Sequence, residues 1–157
     1  MKIFISHKQE DEITARQIAG ILNQENVGYY LDAMDNSITG SGKELTEHIK
    51  ANLGECTDIL VVMSENTRTS QWVPFEVGMA AELELPTVTY LKADVPLPDF
   101  LSYWPRLRFI RDISTYISVR RDATQRSRAI YGHYDASAER KINIPEFYGQ
   151  LKRRLIY

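Results

Sequence analysis

The residues best placed to do chemistry lie in one block, Ser70-Gln71-Trp72-Val73-Pro74-Phe75-Glu76-Val77-Gly78-Met79-Ala80-Ala81-Glu82. On a helix, positions four apart share a face, so Trp72 and Glu76 stand one above the other. A carboxylate facing a ribose can stabilise the oxocarbenium-like centre that forms as a glycosidic bond breaks. It can also attack the anomeric carbon itself. Trp72 could offer a stacking wall for a flat ring, and Gly78 and Ala80 are small enough to bring the helix close to a sheet or a ligand. Glu76 is therefore a candidate for the catalytic carboxylate of an enzyme acting on an N-glycosidic bond. A surface or capping role is the competing reading, because the helix dipole alone favours a glutamate in the first turns. Glu82 and Glu84 lie further along and are expected to face solvent.

Other candidate chemistry is weaker. His7 follows the first strand, where it could bond a phosphate or a ribose, cap the next helix or meet solvent. Ser64 and Ser70 sit in no Gly-x-Ser-x-Gly elbow, so hydrogen bonding and capping at the start of the Trp72 helix suit them better than nucleophilic attack. Gly42-Lys43-Glu44 lacks the Ser or Thr of a phosphate loop, and no G-x-G-x-x-G follows the first strand, which argues against hydride transfer. His7, His48 and His133 are scattered, with no metal-ligand spacing, so no metal is expected. The lone cysteine, Cys56, precedes an apolar run and is expected in the core.

These residues need a scaffold, and the hydrophobic pattern supplies one. Lys2–Ser6, Val27–Leu31, Thr57–Met63 and Thr87–Leu91 read as strands, the third almost continuously apolar as a central parallel strand should be. Between them, helical spacing covers Glu12–Asn26, Lys43–Leu53 and Trp72–Leu83. Ser41 with Glu44 forms a capping box for the second helix, and Gly54 is expected to end it. Pro74 is tolerable only in a first turn. Four consecutive strand–helix units predict a doubly wound α/β sheet, whose ligands sit beyond the carboxyl ends of the strands. Those ends are Ser6-His7, Leu31-Asp32, Ser64 and Leu91-Lys92. Beyond Ala93 the pattern loosens. An edge strand is expected at Leu107–Ile110, partial helix over Arg120–Tyr134, and a last helix from Asn143-Ile144-Pro145 with Phe147, Leu151 and Leu155 on one face. The order of the strands is not readable.

The chain has 157 residues, 43% apolar and 25% charged, and is expected to form a single domain over 1–157. A formal net charge of -2 gives no basic excess for nucleic acid. Lys152-Arg153-Arg154 and Arg120-Arg121 read as solvated helix faces. With no signal-peptide form and no apolar run of transmembrane length, a cytoplasmic protein without membrane contact is expected.

Taken in order, Phe4-Ile5-Ser6-His7, Tyr30-Leu31-Asp32, Ile59 to Ser64 and Ser70-x-Trp72-x-x-x-Glu76 resemble the TIR domain. The likeness is to the bacterial antiviral, NAD-consuming kind of Thoeris-type defence systems. It is good over residues 1 to 92 and loose beyond. It implies a flavodoxin-like three-layer sandwich with a central parallel sheet. It also implies NAD+ nucleosidase or cyclase activity, with NAD+ as substrate and no cofactor. The resemblance carries catalysis to Glu76 and substrate contact to Phe4, Ser6, His7, Asp32 and Trp72. For Asp32, a bond fixing its own loop is the other reading. A cyclic ADP-ribose-type signal, read by a separate effector protein in antiphage defence, would follow. So would self-association through TIR–TIR contacts, in which the loop Ala33–Gly42 often takes part. Two other classes stay open. One is a nucleoside 2-deoxyribosyltransferase-like enzyme, suggested by Glu76-x-Gly78-x-Ala80 and Leu85-Pro86-Thr87-Val88. The other is a non-catalytic TIR interaction module.

Overall fold

The computed structural model describes residues 1–31, 41–91, 95–131 and 141–155. The strands are β1 (Lys2–Ser6), β2 (Gly28–Leu31), β3 (Asp58–Met63), β4 (Thr87–Leu91) and β5 (Arg106–Leu107). The helices are α1 (Glu12–Gln24), α2 (Gly42–Glu55), α3 (Trp72–Glu82), α4 (Asp99–Ser102), α5 (Asp112–Tyr131) and α6 (Ile144–Arg154). All strand pairs are parallel, in the order β2-β1-β3-β4-β5. Parallel neighbours need crossover connections, and the helices supply them on both faces, giving a flavodoxin-like three-layer sandwich.

Alternation along the strands splits the core in two. Ile3 and Ile5 of β1, with Leu60 and Val62 of β3, pack against α1, α5 and α6. Phe4, Ile59, Val61 and Met63 face the other way, onto α2, α3 and the Leu97–Trp104 segment. Cys56 is buried in this second layer.

Local chemistry sets the helix ends. The Ser41 hydroxyl accepts the Glu44 N–H at 3.4 Å, and the Glu44 carboxylate takes the Ser41 N–H at 2.7 Å. This is the reciprocal box expected from the sequence. Gly54 does not end α2. It avoids the left-handed conformation that stops a helix, so α2 runs one residue on and Cys56 closes it. The left-handed positions fall instead on Asn26 (φ 54°) and Glu84 (φ 53°), just past α1 and α3. At α6 the Asn143 side chain accepts the Glu146 N–H at 3.1 Å, with Pro145 in the first turn.

The later chain departs from the expected pattern in three places. The edge strand is only Arg106–Leu107, because the Asp112 carboxylate takes the N–H groups of Arg108 and Phe109 at 2.8 Å each and draws the backbone out of the ladder. α5 starts eight residues before Arg120, at Asp112, and is helical throughout. Its inward face includes Tyr116, Arg120 and Ser127, so apolar spacing understates it. Arg120 is not on a solvated face: it is 0% exposed and ion-paired to Asp58, with Nε 2.7 Å from Oδ1. No helix among the described residues is long and apolar enough to cross a membrane.

Candidate active site

The strand order creates a crevice. β1 and β3 are neighbours, yet the chain leaves β1 for α1 on one face and leaves β3 for α3 on the other. Sheets of this order bind ligands at that switch point, beyond the carboxyl ends of the strands. Ser6-His7 and Ser64 stand there.

α3 brings Glu76 to the same place. The Ser70 hydroxyl accepts the N–H groups of Trp72 and Val73 at 3.2 and 3.3 Å, opening the helix, and Pro74 falls within its first turn. Val73, Val77 and Ala80 bury one side of α3 against the sheet. Glu76 lies on that inner side, 1% exposed. Period-two alternation turns Ser6 to the α3 face, and its hydroxyl donates a hydrogen bond to Oε2 of Glu76. Ser6 is itself fully buried. A carboxylate this deep needs hydrogen-bond donors, and Ser6 provides one.

The residues around this pair are tied loop to loop. The Asp11 carboxylate, just before α1, accepts from the Ser64 hydroxyl and from Thr67 Oγ1, the latter at 2.9 Å. Ser64 also accepts the N–H groups of Asn66 and Thr67 at 3.1 and 3.3 Å. The loops leaving β1 and β3 are thus clasped across the crevice. Asp11 carried no sequence signal for this, because its partners are more than 50 positions away along the chain.

His7 points along the crevice wall to Glu12, with Nε2 2.7 Å from Oε2, while Arg16 holds the other Glu12 oxygen at 2.6 Å. The His7 hydrogen bond leads the causes that keep the Glu12 carboxyl below its usual range. The charges of His7 and Arg16 add to it, and burial opposes it. A lowered folded value means the stabilisation is present above the ordinary glutamate range and is lost as pH falls through the folded value. Glu12→Gln is therefore expected to lower the melting temperature near neutral pH. The difference should narrow in calorimetric scans as pH falls below the ordinary glutamate range and through the folded value, where the wild-type carboxyl becomes neutral like the amide that replaces it.

The other predicted site residues fall in different places. Phe4 is buried beneath the crevice, its ring 5.2 Å from that of Tyr30. Trp72 is 36% exposed and meets Phe75 edge-on at 6.0 Å, outside the buried Ser6–Glu76 pair. Asp32 and the loop 33–40 lie outside the described residues, as does His133. Glu82 and Glu84 are exposed. Among the described residues no set of three or more His, Cys, Asp or Glu gathers to hold a metal. The cavities beside Arg121 and Arg128 and between α5 and α6, about 240 and 310 Å³, lie away from Glu76.

Gly78 does not serve close packing as its size suggests. A Cβ there would meet nothing within 4 Å. Gly78→Ala should stabilise the protein by about 0.5–1 kcal/mol in urea denaturation, through the lower entropy of the unfolded chain.

Fold and site together define an α/β protein with a buried carboxylate at the switch point of a parallel sheet. The sequence profile of the TIR domain matches residues 3–130, and the chain belongs to that family. It is similar in fold to the TIR domain of the Toll-related receptor TRR-2 from Hydra magnipapillata, at 15% identity and a TM-score of 0.59, covering 76% of this chain and 95% of that one. A second match is to the TIR domains of the activated Roq1 resistosome directly recognizing the pathogen effector XopQ. There the identity is 15% and the TM-score 0.45, over 97% of this chain and 81% of that one. No curated protein matches the chain.

Proposed function

We propose that this TIR domain cleaves the nicotinamide–ribose bond of NAD+, with Glu76 as the catalytic carboxylate. The observation that carries this reading is the burial of Glu76 at the β1/β3 switch point, bonded to Ser6 of the β1 exit. In the reaction the C1–N bond breaks with both electrons going to the nicotinamide nitrogen. That ring is cationic in NAD+ and leaves neutral, so no acid is needed to protonate it. Positive charge develops on the ribose, and the Glu76 carboxylate stabilises it. A water-poor site strengthens that attraction. Water then adds to C1 and gives up a proton, leaving ADP-ribose.

If a second nucleophile of the same molecule reaches C1 before water, a cyclic ADP-ribose isomer forms instead. We extend the proposal to that product, as a signal in antiphage defence read by a separate effector protein. Its support is the resemblance to Thoeris-type proteins. Of the substrate contacts that the resemblance implies, Phe4, Ser6 and His7 are buried and the Trp72 ring is accessible. The same exposure of Trp72 and Phe75 favours a second reading, a TIR module that assembles through α3.

The test is mass-resolved product analysis of NAD+ incubated with concentrated wild-type protein and with Glu76→Gln, with deoxynucleosides run in parallel. Nicotinamide release by wild type alone supports the reading, and the product mass tells linear from cyclic ADP-ribose. Equal release by both proteins removes Glu76 from the chemistry. Turnover of deoxynucleosides alone would favour the ribosyltransferase class.

A further inference from the structure

We infer that Ser6 is a positioning residue for the Glu76 carboxylate and not a contact to the ribose. The inference rests on the reading of Glu76 as the catalytic group. A glutamate side chain has three rotatable bonds, and a helix fixes only where it begins. Ser6 is anchored differently. β1 lies between β2 and β3, and the Ser6 backbone is in register with Val61, so the sheet fixes its Cα and leaves one torsion to aim the hydroxyl. That hydroxyl donates to Oε2 of Glu76 from a fully buried position. A substrate reaching the carboxylate meets a group whose orientation is set from the sheet side.

The arrangement also separates two tasks. Stabilising a developing ribose cation depends on where the charge sits, and a misplacement on the order of 1 Å can lower a rate about a hundredfold. Ser6 holds that position from inside the protein, while ribose and phosphate recognition is left to groups at the open edge of the crevice. Removing the Ser6 hydroxyl therefore acts on the chemical step and leaves binding nearly intact. If the hydroxyl instead bonded the ribose directly, its removal would act mainly on KM.

Steady-state nicotinamide release tests this in the full chain. For Ser6→Ala we expect kcat to fall by about 10- to 100-fold with KM within about threefold of wild type. Ser6→Thr, which keeps a hydroxyl on the same carbon, should restore most of kcat. An unchanged kcat in Ser6→Ala overturns the inference, and so does a loss borne by KM alone. Wild-type turnover by Glu76→Gln would instead remove the reading of Glu76 on which the inference rests. The bond also has a readout that needs no turnover. Ser6→Ala should lower the melting temperature of wild type, where it strips a donor from a buried carboxylate, and should not lower that of Glu76→Leu. Equal shifts in the two backgrounds would overturn the inference even if the protein released no nicotinamide.

Discussion

Glu76→Gln is expected to reduce nicotinamide release by on the order of a thousandfold or more, the scale of losing a main electrostatic stabiliser from a preorganised site. The substitution keeps the shape of the side chain and keeps an oxygen able to accept the Ser6 hydroxyl hydrogen bond. It removes the charge, which on the proposed function stabilises the developing ribose cation. The companion expectation concerns stability. A neutral amide is easier to bury than a carboxylate, so at 1% exposure the variant should melt at the wild-type temperature or above it. Activity and stability then move apart. A structural glutamate would behave otherwise, with turnover unchanged or a loss that tracked unfolding. Product analysis and thermal denaturation of the same preparation read both outcomes.

The second large effect is at the opposite end of the sheet. Asp58 opens β3 and is fully buried. It accepts from Arg120 Nε at 2.7 Å, from the Tyr116 hydroxyl at 2.6 Å and from the Thr57 hydroxyl. Tyr116 and Arg120 are one helical turn apart on α5, so a single carboxylate ties that helix to the central strand. Burial, with the nearby Asp58 charge, pushes the Tyr116 phenol well above its usual range, and it stays a donor. Arg120→Met should destabilise the protein by about 3–5 kcal/mol, because it leaves a buried carboxylate without its counter-charge. Typical domains have about 5–15 kcal/mol in all, so the variant should be marginal. Adding Asp58→Asn should recover much of the loss, since the group left behind is then neutral. Urea denaturation of the single and double variants measures both. A single-variant loss below about 1 kcal/mol, the scale of an exposed pair, would show the pair to be unimportant. On the proposed function, NAD+ turnover by the folded fraction should persist, as the cluster lies at the amino end of β3 and Glu76 lies by the carboxyl ends.

Much of the fold was written locally. The strand Thr87–Leu91, the box Ser41–Glu44, the first-turn Pro74 and the start of the last helix at Asn143-Ile144-Pro145 all follow from periods and pairings within a few residues, and the structure has each of them. The same reasoning failed on α5. Its buried face carries Arg120 and Ser127, and a helix whose core side is partly polar has no clean apolar stripe. Arg120 reads as a surface cation until its partner is known, and that partner is 62 positions earlier.

The site divides along the same line. From the sequence alone came the block containing Glu76, the strand ending in Ser6 and the expectation that strand ends carry the ligand, because side-chain type and short-range spacing are written in the chain. The tertiary structure alone decided that β1 lies beside β3, that Glu76 is buried against the Ser6 hydroxyl while Trp72 stays partly exposed, and that Asp11 clasps Ser64 and Thr67. Those bonds join residues 53 to 70 positions apart. They depend on strand order and on which face each crossover takes, and no local pattern encodes either.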